Sequence, residues 1–511
     1  MLPSDLENLS AKFTFESDKS GVVEEPPFRI LVLGDWSGSV DRHDARGRPI
    51  EIDRDNFDDV MAKLGPTVRL GLQERGEPVV LRFGELDDFH PDRIFEQVPL
   101  FSELRELRRR LLGRDAYNSA AREVYSRFSE PQPPRSLESS PEPVDSDSPT
   151  GSALNLLDQI LDQPAGGSKP VRTGTARSAE MDNLLAALVR PHLLSVDEDE
   201  QSHLVAAVDA ASTGLMRSIL HDHGFQALEA AWRGLYFLVR RAETDTELKI
   251  LVLDVSKEAL GNELRTAEHL SDSRLHKILI EDALETPGGE PWAAVFGNFA
   301  FLPNRDDIAE LIRLTRLCSA AGAPFISHMR PEVLGVHTLA AGPDPIPWNV
   351  SDESDVGKLW AALRNLHEAG HLGLVMPRFL VRLPYGVNTE PLETFNFEEF
   401  PAQPDHDKYL WANPCFAAAL LLVQSYREYG WSMGNTLLQD IEDMPLHTYK
   451  RDGETISTPC AEALLTQSAA ERMMEYGLIP LVSFKNADKI RLARWQSASD
   501  PVSGLKGRWN R

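Results

Sequence analysis

Cysteine is nearly absent: Cys318, Cys415 and Cys460 stand far apart in 511 residues. An odd number at such spacings makes neither a disulfide framework nor a zinc cluster, so a reducing compartment, the cytoplasm, is the expected location. Long apolar runs are missing too. Nothing approaches the ~18 apolar residues of a membrane-spanning helix. The opening MLPSDLENLS lacks the basic-then-apolar pattern of a secretory signal. Direct membrane insertion is therefore not expected. Positive charge is in deficit, with 53 Lys and Arg against 79 Asp and Glu, for a net charge of -26. Such a surface repels phosphate, which argues against nucleic acid as a partner. The turn GDWSGS (34–39) follows a strand-like run but has neither G-x-G-x-x-G nor Gly-Lys-Ser/Thr. A phosphate cradle is not expected there, and no cofactor is expected elsewhere.

What is present reads as alternating strands and helices, an α/β class. FRILVL (28–33) is a continuous apolar run, the form of a strand buried on both faces. PVVLRF (78–83), LKILVLDV, PWAAVFGNFAF, APFISHM, HLGLVMPRFLV and YGLIPLVSFKN (476–486) read as further strands. DRDNFDDVMAKL and PDRIFEQVPLFSELRELRRRLL read as helices with acidic starts, the second with a basic end that suits the helix dipole. Helical patterns cover about 179–242, DDIAELIRLTRLCSAAG and Tyr409–Tyr429. Phe225, Leu228 and Trp232 recur at helical spacing and read as core, as do Trp411 and Trp431.

Composition changes sharply after residue 128. Ser129–Thr150 holds six Pro, six Ser and five acidic residues, with only Leu137 and Val144 as aliphatics. It cannot bury enough surface to offset chain entropy, and 129–180 reads as a disordered linker. Within it, SALNLLDQILDQP (152–164) is an apolar island. Leu154, Leu157, Ile160 and Leu161 share one helical face with Leu156 beside them, Ser152 can cap the start, and Pro164 ends it. A one-sided helix with disordered flanks is a docking candidate, the alternative being packing on its own protomer. The domains are therefore 1–128, the linker, and 181–511. Two terminal features stand out. Lys12–Glu16 (Lys12, Phe13, Thr14, Phe15, Glu16) alternates like a strand in a polar terminus, 1–20, with no local partner. The tail 485–511 carries seven Lys and Arg, among them Lys485, Lys489, Arg491 and Arg494, against Asp488 and Asp500. It is either solvated or docked on an acidic surface, its own or a neighbour's.

Two patterns match catalytic signatures. His367-Glu368-Ala369-Gly370-His371 is a formal H-E-x-x-H, but Gly370 weakens a helix between the histidines and a strand begins at once after them. Gly430-Trp431-Ser432-Met433-Gly434 matches G-x-S-x-G, yet a long helix-forming stretch precedes it where a nucleophile elbow needs a strand. His221 and His223 read as ordinary helix-end residues. Neither a zinc enzyme nor a hydrolase is expected. The chain does not read as an enzyme.

Two sets of sequence blocks carry a resemblance. FRILVLGDWSG, IEIDRDNFDDVM and LRFGELDDFHPDRIFEQVPLFSELRELR, from Phe28 to about Arg110, resemble the small sheath subunit of type VI secretion systems, the TssB family. LMRSILHDHGFQALEAAWRGLYFLV, ELKILVLDVSKEAL, GLVMPRFLVRLPYG and FNFEEF…DKYLWANPCFAAALLLVQSYREYGW resemble the large sheath subunit, the TssC family. The family's subunits are separate chains, so this one resembles a fusion. The resemblance implies a contractile, phage-tail-like sheath fold, with a small N-terminal α/β unit and a larger C-terminal α/β part. It implies a helical homopolymer around an inner tube protein, seated on a baseplate, that contracts without catalysis. It further implies strands exchanged between protomers, for which Lys12–Glu16 and Leu478–Phe484 (Leu478, Ile479, Leu481, Val482, Phe484) are the candidates, and an AAA+ unfoldase that recognises a helix like 152–164. A non-contractile baseplate or adaptor protein that reuses the fold is the alternative. A linker of this kind fixes one-to-one stoichiometry, and leaves open whether the two parts pair within one chain or between chains.

Overall fold

The computed structural model describes residues 25–38, 47–71, 78–113, 116–128, 200–340, 344–345, 348, 354–434 and 436–510. The strand expected at Lys12–Glu16, the linker 129–180 and its helix at 152–164 lie outside the described residues.

Among the described residues nine strands, most of them from the apolar runs, form one sheet: β1 (Phe28–Gly34), β2 (Ile50–Glu51), β3 (Leu248–Asp254), β4 (Trp292–Phe301), β5 (Phe325–Met329), β6 (Leu372–Met376), β7 (Asp440–Ile441), β8 (Ile479–Ser483) and β9 (Ile490–Leu492). Their spatial order is β7-β9-β8-β6-β5-β4-β1-β3-β2. The strands from β8 to β3 run parallel, while β9 and β7 at one end and β2 at the other are antiparallel to their neighbours. β1 explains its own sequence. It lies between β3 and β4, with Leu31 level with Leu251 on one side and Val295 on the other. Phe28, Ile30 and Val32 face one apolar cluster, Leu31 and Leu33 the other, so the strand is apolar but for Arg29, which pairs with Glu290 and lies over the Trp292 ring.

Among the described residues the longer α-helices that cover the sheet are α1 (Phe57–Leu64), α2 (Pro91–Gln97), α3 (Pro99–Leu112), α4 (Tyr117–Phe128), α5 (Glu200–Leu220), α6 (His223–Arg241), α7 (Lys257–Thr266), α8 (Arg305–Ala321), α9 (Asp355–Arg364), α10 (Cys415–Tyr429) and α11 (Gln467–Glu475). Those from α1 to α6, with α10, pack on one face, and α7, α8, α9 and α11 on the other. Their starts are set locally. The side chains of Asp222, Ser256, Asn304, Ser354 and Thr466 each accept a backbone N–H from the first turn that would otherwise lack a partner. α6 and α10 approach closely because residue 234 is glycine; a Cβ there would sit 2.5 Å from the Phe416 ring.

Three expected elements are divided. The helical run 91–112 breaks at Val98, because Pro99 opens a new helix. The strand expected through Val381 stops after Met376, since Pro377 has no N–H for the ladder, and Phe379–Leu380 pairs instead with Trp411–Ala412. The helix expected from Tyr409 therefore begins at Cys415.

One buried carboxyl is poorly served. Glu310, on α8, is 7% exposed, faces Gly261 of α7, and leaves its Oε1 without a hydrogen bond among the described residues. Burial pushes its pKa up to about 7, against the pull of Lys257 and with the push of Asp307. The folded state therefore holds this proton longer than the unfolded chain, and stability falls as pH rises from about 4.5 through 7. Glu310→Gln is expected to match the parent near pH 4.5 and exceed it above pH 7, by about 1–3 kcal/mol after screening. Urea denaturation at both pH values measures the gap, and equal curves at pH 8 would contradict it.

Candidate functional site: a seam and a buried charge cluster

The crossover from β3 to β4 skips one position in the sheet, and β1 occupies it. The N-terminal part thus completes a sheet that the C-terminal part leaves split. The register places Asp254 beside Gly34, where its carboxylate accepts the N–H groups of Trp36 (2.8 Å) and Ser37 (3.2 Å). Trp36 is fully buried and meets Trp232 edge-on at 5.6 Å, and the Trp232 indole donates to the Trp36 carbonyl at 2.9 Å. The chain turns at Gly38, whose φ is +60° and where a Cβ would lie 2.6 Å from the Thr67 carbonyl oxygen. Phe83, Phe89 and Phe225 form a second aromatic group across the same boundary. Around its rim Asp92 accepts the N–H groups of Glu393 and Thr394, and Arg108 forks onto Asp209 at 2.6 and 3.2 Å. The seam is an apolar core with a polar rim, as in a permanent interface.

The second feature lies inside the C-terminal part. Arg382 is 6% exposed and forks onto two carboxylates: Glu229 at 2.8 and 3.3 Å, Glu399 at 2.8 and 3.4 Å. Glu229 also accepts from Arg233 at 2.7 Å, and Arg233 donates to the Tyr385 hydroxyl at 2.9 Å. The Tyr385 N–H donates to Glu399 at 2.9 Å, and the guanidinium lies over the Tyr385 ring at 4.4 Å. Burial by itself raises the Glu399 pKa, but the Arg382 charge and these hydrogen bonds outweigh it and hold the group at about 2. Two cations balance two anions. The cluster ties α6 to the loop 381–400, with Arg382 and Tyr385 drawn from VRLPYG and Glu399 from FNFEEF.

Neither catalytic pattern has the local structure its signature calls for, a helix in the first case and a strand before the serine in the second. His367–His371 is one short 3-10 turn, with Gly370 packed against the Lys506 side chain. Burial, then the Lys506 charge, lowers the His371 pKa. Among the described residues no three His, Cys, Asp or Glu side chains converge as metal ligands. Ser432 follows α10 in a 3-10 turn beside Trp431 and Trp509. The cysteines are buried, and burial keeps all three as thiols, Cys460 at about 11. His221 approaches Glu399 at 3.4 Å.

Of the expected interface residues, Leu478–Phe484 calls for correction. Ile479 and Pro480 pair with β6, and Leu481–Ser483 pair with β9, so the stretch already has partners within its own chain. Leu478, Ile479 and Leu481 are fully buried. Its apolar character comes from an interior position in its own sheet. The basic tail is folded and in part self-paired: Lys489 contacts Asp440 and Glu442 at 3.3 Å, and Arg491 forks onto Asp440 at 2.5 and 2.7 Å. Lys485 and Arg494 are exposed. Sequence reasoning missed Glu229, Arg382 and Glu399. The signal was a single charge inside an apolar stretch, FQALEAAW and FLVRLPY, which in a buried element demands a partner.

Comparison with known proteins agrees with the two-part reading. Residues 202–499, more than half of the chain, match the family model of the VipB (EvpB) tail sheath N-terminal domain. Residues 7–124 match the VipA family of the type VI secretion system. The chain is 33% identical over 363 residues to the type VI secretion system sheath protein TssC1 of Pseudomonas aeruginosa, a match covering 68% of this chain and 70% of that protein.

Proposed function

The chain belongs to the type VI secretion sheath family, and from that premise we propose that it is a complete sheath protomer in which small and large subunits are joined in one polypeptide. The observation that carries this is the place of β1. A strand from the VipA-like region fills the gap between β3 and β4 in the sheet of the VipB-like region. A protomer that needs no second subunit then polymerises helically around an inner tube, docks on a baseplate, and does mechanical work by switching between extended and contracted packings. The energy comes from many identical interfaces, so a small difference per protomer suffices. Lys12–Glu16 is the remaining candidate for a strand exchanged between protomers, and helix 152–164 for unfoldase docking. No step in this reading is catalytic.

Purified full-length protein, concentrated without any partner, is expected to form hollow tubes or rings in electron micrographs. A strictly monomeric species by light scattering and in micrographs would remove most of the support.

A further inference from the structure

The carboxyl ends of β1, β3, β4 and β5 open into a recess of about 550 Å³. In open parallel sheets this edge is where loops diverge and ligands bind. The recess straddles the seam: Asp35 and Val68 come from the N-terminal part, and Leu228, Phe299, His328 and Trp411 from the C-terminal part. Its polar groups differ in how far they are already used. Lys257 is held by Asp307 at 2.6 Å and by the Ala300 carbonyl at 2.8 Å. Arg378 forks onto Glu462 at 2.6 and 3.0 Å, and Arg69 at the rim is also engaged. The cations on the wall are therefore neutralised or committed.

The acceptors are not. His328 is 4% exposed, and its Nδ1 lies 3.0 Å from the Val375 carbonyl oxygen, so Nδ1 carries the proton and Nε2 offers a lone pair. That Nε2 has no hydrogen bond among the described residues. Burial, reinforced by Arg378, keeps the ring neutral down to about 4, so the acceptor persists at ordinary pH. Asp35 is exposed at the mouth of the recess; its carboxylate accepts the Gly38 N–H at 2.9 Å and has no cation in ion-pair range among the described residues. Partial desolvation, with the charges of Asp254 and Glu258 nearby, pushes its pKa up against the pull of the Gly38 N–H. Glu258 is exposed at the first turn of α7 and makes no ion pair among the described residues. What the recess offers is acceptor capacity at His328 and negative charge at its mouth, with the Asn298 amide beside them, between apolar walls that include an indole.

We propose that this recess binds an ammonium or guanidinium group on a short apolar stem, with Asp35 and His328 as its acceptors and Phe299 and Trp411 flanking the stem. An indole wall adds cation–π attraction. The same chemistry is offered by a free alkylamine or guanidine and by a Lys or Arg side chain of another polypeptide. An occupant touches both parts of the chain and so reinforces the seam.

Calorimetric titration of the dissolved full-length protein with n-butylguanidinium tests this independently of polymer formation. Saturable one-to-one binding in about the millimolar range is expected, with n-butylurea, the neutral counterpart, not binding. Asp35→Asn keeps the shape and the Gly38 contact but removes the charge, and should weaken binding about fivefold or more. If that variant does not fold, Glu258→Gln on the exposed turn carries the test, with about a twofold loss expected. No saturation below about 10 mM, or unchanged affinity in the folded variant, overturns the proposal. Nα-acetyl-arginine amide separates the sources: inhibition of assembly assigns the site to a neighbour's side chain, and binding without inhibition assigns it to a free cation.

Discussion

A chain shortened to residues 200–511 is expected to be insoluble, and to become soluble when residues 1–128 are supplied as a separate polypeptide. Without β1 the sheet splits between β3 and β4, each presenting an unpaired edge next to buried residues such as Ile250, Val252 and Phe296. Open apolar edges of this kind aggregate. The magnitude decides the outcome. Phe28, Ile30, Leu31, Val32, Leu33 and Trp36 are fully buried. At about 1.5–3 kcal/mol each, their burial contributes roughly 10 kcal/mol or more, as much as the entire stability of a typical domain. The helices add to it through Trp232, Phe225 and the α3–α5 contact. Co-expression should recover a complex that copurifies through either fragment. A soluble, monomeric 200–511 fragment with native circular dichroism would show that the seam is an accessory contact.

Arg382→Met is expected to cost about 3–5 kcal/mol, because Glu229 and Glu399 would then share a buried space with only Arg233 as counter-charge. Arg382→Lys should recover little, since one ammonium cannot reproduce a fork that reaches two carboxylates. Arg382→Met combined with Glu229→Gln and Glu399→Gln should recover much of the loss, because the uncompensated charges go with it. The cluster also sets an acid limit. The folded pKa of Glu399 is about 2, below its ordinary value of 4.5. Its contribution is therefore complete above about 4.5 and is lost as pH falls toward 2. Denaturation curves at pH 7 and pH 3.5 should show the parent losing more stability than the triple variant. Parallel loss in both would place the acid sensitivity elsewhere.

Much of the element pattern was readable because it is local. FRILVLG is apolar but for Arg29, a pattern that suits a strand covered on both faces, and LKILVLD and WAAVFGNFAF are nearly as apolar. Caps at Asp222, Asn304 and Thr466 are decided within four residues. The places where reading failed are also physical. Pro377 and Pro99 interrupt apolar stretches whose periodicity runs straight through them. The YGLIPLVSFKN strand looked unpartnered because its partners, β6 and β9, are a hundred residues before it and just after it. Arg382 and its two glutamates are 153 and 17 residues apart, so no spacing rule joins them.

The sequence by itself determined the class of the protein: no apolar run long enough to span a membrane, two blocks of α/β pattern with family likeness, and catalytic patterns in unsuitable contexts. These follow from composition and from interactions a few residues long. Tertiary structure alone decided that the two blocks share one sheet, that an isolated arginine is the centre of a balanced charge cluster, and that the GDWSG turn borders a recess. Strand order and buried ion pairing depend on contacts between residues hundreds of positions apart. Many partners satisfy an apolar strand or a lone charge equally well in sequence, and only packing selects one.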